Sequence, residues 1–83
     1  MLLMTFEEFN KLPHFEQEEL VQESGKSLYE SRTFGEYIIR YFALFSFVVE
    51  VYVFTETGKI ARFKAIPANQ SPSSLGVNKT WKV

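Results

Sequence analysis

Glu50 is the carboxylate in this sequence best placed to do chemistry. It stands in an apolar run, YIIRYFALFSFVVEVYVF (residues 37–54), otherwise interrupted only by Arg40 and Ser46. A charge in such surroundings must be paired or exposed, and Arg40, Arg62 and Lys64 are positioned to pair with it. Its functional reading is a general acid or base. Its structural reading, which we favour, is a cross-strand ion row, since ion networks perturb acids as well and no second catalytic partner accompanies it. The chain contains no aspartate and no cysteine, which removes disulfides, thiolate metal sites and cysteine nucleophiles. His14, the one histidine, sits beside Pro13 at a helix start without an Asp or Cys partner that would make a triad or metal site. Glu16, Glu19 and Glu23 recur at helical spacing and offer a loose cation site at most; they read as a solvated helix face. Ser71, Ser73 and Ser74 have no base to activate them. The four glycines are isolated, each explaining a cap or a turn rather than a phosphate loop. These residues predict no catalytic group, no metal and no cofactor.

A binding surface is the remaining option. Tyr52, Phe42 and Phe54 together with Arg40, Arg62 and Lys64 have the makings of a sheet platform on which single-stranded bases could stack. Against this, the chain lacks a glycine-flanked aromatic RNA-binding signature and carries a net charge of −1. The charge is unevenly placed: residues 1–25 hold six glutamates against Lys11, and residues 26–83 hold eight Lys/Arg against four Glu. The acidic part is most simply the water-facing side of helices, and the basic remainder is too weak to argue for nucleic acid by itself.

The elements that must position these residues follow from local signals. Thr5-Phe6-Glu7-Glu8 has capping-box spacing, predicting a short helix to about Leu12. Pro13 suits the first turn of a second helix over about 14–24, with Leu20 and Val21 inward and Gly25 as a left-handed C-cap. Strand patterning then takes over, as β-branched and aromatic enrichment requires. SLYESRTF (27–34) reads as an edge strand whose Glu30 and Arg32 discourage edge pairing. Strands over about 37–44, 47–55 and 59–66 follow. Glu56-Thr57-Gly58 fits a three-residue hairpin loop ending in a left-handed glycine, which sets Val53 opposite Ala61, Val51 opposite Phe63 and Glu50 opposite Lys64.

Register in the second strand depends on the turn near Phe45. A three-residue loop (44–46) puts Arg40 opposite Glu50 and completes an Arg40–Glu50–Lys64 row. A two-residue loop puts Arg40 opposite Val51, on the face where Val49, Val51 and Val53 build a core. A charge there is costly, so the longer loop is expected. Tyr37, Ile39, Tyr41 and Ala43 then join the valines beneath the helices, since a one-residue slip exchanges the two faces.

The run from Thr5 to Ile66 resembles a small bacterial family of uncharacterised proteins. The residues that carry the likeness are TFEEFNKL, Glu16-Gln17, Gly25, Leu28, Arg32, Tyr37 and Val49-Glu50-Val51, with the spacing of aromatic and branched residues up to Ala65. The chain departs from that pattern at Pro13 and Phe45. The resemblance implies a helix-plus-meander fold and no known activity.

The expected architecture is therefore α+β: two short N-terminal helices packed on one face of a four-stranded antiparallel meander, in a single domain over 1–66, followed by an irregular tail, 67–83, whose Trp81 is expected to be weakly ordered. Between Arg40 and Glu50 the apolar run is too short to span a membrane, and MLLMTF lacks the features of a signal peptide. Lack of cysteine is compatible with the cytoplasm. With 83 residues, 46% of them hydrophobic and 17% aromatic, the chain has more apolar surface than one small core absorbs. The face opposite the helices should carry Val48, Glu50, Tyr52, Phe54, Ile60, Arg62, Lys64 and Ile66. A patch of that kind predicts a homodimer, or another protein partner, and a non-catalytic interaction module. Single-stranded nucleic acid is the alternative ligand.

Overall fold

A computed structural model describes residues 4–70. Helices α1 (Phe6–Asn10) and α2 (His14–Ser24) precede strands β1 (Lys26–Phe34), β2 (Tyr37–Leu44), β3 (Phe47–Phe54) and β4 (Ile60–Pro67), and a 3-10 turn covers Ala68–Gln70. The strands form one antiparallel sheet in the order β1-β2-β3-β4. The class is α+β, as the sequence predicts. Trp81 and the serines at 71, 73 and 74 lie outside the described residues.

The capping box forms: the Thr5 hydroxyl accepts from the Glu8 amide at 3.1 Å, and the Glu8 carboxylate accepts from the Thr5 amide at 2.9 Å. Pro13 is the N-cap of α2, its carbonyl accepting from the amides of Glu16 and Gln17. Gly25 ends α2, but not in the left-handed region: its φ is −74° and its ψ 144°. A glycine is needed there for space, because a Cβ would stand 2.5 Å from the Val21 carbonyl oxygen.

The β2–β3 hairpin turns over two residues, Phe45-Ser46, with Leu44 paired to Phe47. Arg40 consequently faces Val51, and Tyr41 faces Glu50. The expected three-residue loop is wrong, and the Arg40–Glu50–Lys64 row does not form. The reason is that the charge penalty assumed for Arg40 never arises: its side chain is exposed, although its partner Val51 belongs to the helix-bearing cluster. The cost appears elsewhere, since Phe45 adopts φ +55°, where a side chain costs about 1–2 kcal/mol.

In the β3–β4 hairpin, the Gly58 amide donates to the Phe54 carbonyl at 2.8 Å and the Phe54 amide donates to the Lys59 carbonyl at 2.9 Å. Gly58 has φ +74°, the expected left-handed position. Val51 pairs with Phe63 and Glu50 with Lys64 as expected, but Val53 pairs with Ile60, with a register shift beyond Tyr52–Arg62. Ala61 is the extra residue of a bulge, and Ile60 moves to the Val49–Val51 side. A second irregularity lies in β1. Leu28, Tyr29 and Glu30 together stand opposite Tyr41, between the pairs Ser27–Phe42 and Ser31–Arg40, with Tyr29 at φ +57°.

Two apolar clusters result. One joins Phe9 and Val21 of the helices to Leu44, Phe47, Val49, Val51, Phe63 and Ala65. The other consists of Ile39, Tyr41 and Val48, bordered by Leu28, Tyr52 and Ile66, and holds no helical residue. The outer edge of β4 is closed by a side chain: Asn10 donates to the Ala65 carbonyl at 3.0 Å and accepts from the Ala65 amide at 2.8 Å. At Ala65 one asparagine thus makes the pair of backbone bonds that a neighbouring strand would make.

Candidate interaction face

Period-two alternation puts Val48, Glu50, Tyr52 and Phe54 of β3 on one side of the sheet. Their β4 neighbours there are Ile66, Lys64 and Arg62, and their β2 neighbours are Ala43, Tyr41, Ile39 and Tyr37. Seven of the eight residues expected on this face are therefore together. Ile60 is the exception, packed against the cluster of Phe9 and Val21. Leu28, Tyr37, Ile39 and Tyr41 were missed on this face because the register of β2 was misassigned; the shorter Phe45-Ser46 turn was the signal for the β2 members.

The face has a dry centre and a half-buried rim. Tyr41 and Val48 are each 1% exposed, in a cluster that holds no helical residue. Their large neighbours lean inward instead: the Tyr37 ring lies 5.1 Å from Phe54 and 5.7 Å from Tyr52. Glu50 is satisfied within this group, accepting a hydrogen bond from the Tyr52 hydroxyl at 3.0 Å. The Arg62 guanidinium sits 4.9 Å above the Tyr52 ring, a cation–π contact. Lys64 and Arg62 are exposed beside them.

Both tyrosines here resist ionisation. Burial raises the Tyr52 pKa, and donation to the Glu50 carboxylate raises it further, because a phenolate would lose that bond and face a like charge. Burial likewise raises that of Tyr41, with the Arg32 guanidinium acting in the opposite sense. That cation is near enough to matter electrostatically, yet the buried Tyr41 hydroxyl has no hydrogen-bond partner among the described residues.

The chemistry this arrangement offers is apolar contact, aromatic edges and a charged group made of Glu50, Arg62 and Lys64. Glu50 is engaged by a phenol rather than by a proton-shuttling partner. His14 sits elsewhere, its ring 5.2 Å from that of Phe63. Among the described residues no three His, Cys, Asp or Glu come together in a way that could hold a metal ion. None of their helices is long and apolar enough to cross a membrane. Comparison with protein-family models, curated proteins and solved structures finds no match for this chain.

Proposed function

We propose that this chain is a small non-catalytic interaction module, acting in the cytoplasm, that pairs with a second copy of itself through the sheet face carrying Val48, Glu50, Tyr52, Phe54, Arg62, Lys64 and Ile66. In this reading α1 and α2 pack on the other face alone. The observation that supports it is the second apolar cluster, which no helix joins although Tyr52 and Ile66 at its border are only half-buried. A two-fold axis near Glu50 lets the face cover itself and brings Arg62 and Lys64 of one copy towards Glu50 of the other. Light scattering on a size-exclusion column tests this. A dimer mass at micromolar concentration is expected, reduced to a monomer by Tyr52→Glu, which sets a second carboxylate beside Glu50. A monomeric wild type, or a dimer indifferent to that substitution, refutes it.

Single-stranded nucleic acid is the second reading, and two observations count against it. Phe42 and Arg40 stand on the opposite face from Tyr52 and Phe54, so the platform loses two of its members. Arg62 occupies the Tyr52 ring face on which a base would stack. Salt-dependent oligonucleotide binding would revive this reading.

A further inference from the structure

On the Val49–Val51 side of the sheet lies a trough beside α2. Two adjoining clefts of about 440 and 310 Å³ share Phe42, Val51 and Ile60 in their linings. Ile38 and Val53 extend this apolar floor at one end, and Val21 and Phe63 extend it at the other. The charges along it are disposed asymmetrically. Of these two clefts Arg40 lines the first and Glu18 the second; Arg40 also borders a separate cleft that Glu30 lines. Glu18 already accepts from the Gln22 side chain at 3.4 Å. Arg40 is exposed and makes no hydrogen bond or ion pair among the described residues.

An apolar floor with a cation that makes no ion pair at one end, and an acid at the other, is complementary to a molecule that is itself apolar and anionic at one end. We propose that this trough binds a single-chain amphiphile with an anionic head, of which an alkyl carboxylate is the simplest. The head sits at Arg40, and the tail runs over Phe42, Val51 and Ile60 towards Val21 and Phe63, away from Glu18. The reverse orientation would set a carboxylate against a carboxylate. The floor of the site lies on the opposite side of the sheet from the self-association face, which meets it only where Phe54 borders the first cleft, and the proposal does not depend on that face.

The test is titration of the full chain with decanoate, decanol and decyltrimethylammonium below their micelle-forming concentrations, followed by amide chemical shifts. Decanoate should perturb Ile38, Phe42, Val53 and Ile60 saturably and bind more tightly than the ammonium. Octanoate should bind about four- to fifteenfold more weakly than decanoate, the range spanning half to full burial of two methylenes. Arg40→Gln, at an exposed position that leaves the fold intact by circular dichroism, should weaken decanoate about two- to fivefold, as expected for an exposed ion pair, and leave decanol unchanged. Equal affinity for decanoate and decyltrimethylammonium, perturbation centred on Tyr52 and Ile66, or no saturable shift would overturn the proposal. So would movement of the trough signals on simple dilution, which would identify a second copy of the chain as the occupant.

Discussion

Asn10 offers the sharpest test of the fold, because one amide side chain satisfies both backbone groups of Ala65 on the sheet edge. It makes two hydrogen bonds to the backbone of Ala65, at 2.8 and 3.0 Å, across 55 residues of chain. A net hydrogen bond contributes about 0.5–1.5 kcal/mol. Because these bonds are only part-buried and water can partly replace the side chain, Asn10→Ala should cost about 1–2 kcal/mol. For a domain of this size that corresponds to roughly 5–15 °C in melting temperature. Asn10→Asp should cost more at neutral pH: its carboxylate still accepts from the Ala65 amide but turns a second oxygen towards the Ala65 carbonyl. Protonation restores a donor, so the folded-state pKa of the new carboxyl should lie above its unfolded value near 3.9. The stabilisation from its protonated form is then present in full below that value and lost as pH rises through the folded pKa. Urea unfolding followed by far-UV circular dichroism measures all of this, at one fixed protein concentration, since self-association is linked to stability. An alanine variant within 0.3 kcal/mol of wild type, or an aspartate variant equal to wild type at pH 7, would refute the clasp.

Three further outcomes are expected. Tyr29 combines φ +57° with 92% exposure, so Tyr29→Asn, which tolerates that backbone better, should stabilise by about 0.5–1 kcal/mol in the same assay; a loss of stability would show that the phenol ring has a partner. Gly58→Ala should destabilise by about 1–2 kcal/mol from backbone conformation alone, because a Cβ there meets no atom within 4 Å; unchanged melting would remove the left-handed turn. Since the pKa values of Tyr41 and Tyr52 are raised above 10.0, the stability they contribute is complete below pH 10 and lost as pH climbs through their folded values. Tyr52→Phe should remove part of that alkaline dependence in absorbance-monitored titration, and an unaltered curve would contradict the Tyr52–Glu50 bond.

The elements were legible because their signals are local. Thr5 and Glu8 announce α1 through one reciprocal pair of bonds, and Gly58 marks its hairpin through a single positive φ. What escaped was everything decided by tertiary placement. The face of β2 depended on whether a charge at Arg40 would be buried, and that turns on which part of the sheet the helices cover, a quantity no strand pattern encodes. Phe45 concealed the short turn, since an aromatic residue is not expected at positive φ. The bulge at Ala61 shifted Ile60 alone, so seven members of the proposed face were legible and the eighth was not. Asn10, a polar residue at the end of a five-residue helix, gave no hint of its role, because its partner lies 55 positions away.

That separation has a consequence during synthesis. Each hairpin of the meander can form as soon as its second arm leaves the ribosome, but α1, made earlier, has to wait for β4 before Asn10 finds Ala65. At about 5–20 residues per second, the separation of 55 positions corresponds to roughly 3–11 s. For that interval the contacts of α1 with β4 are missing, and only those with α2 and β3, where Gln17 donates to the Phe9 carbonyl and Phe9 packs on Phe47, can form. Chaperone demand should therefore fall on the N-terminal segment rather than on the strands, and cease when the last strand arrives.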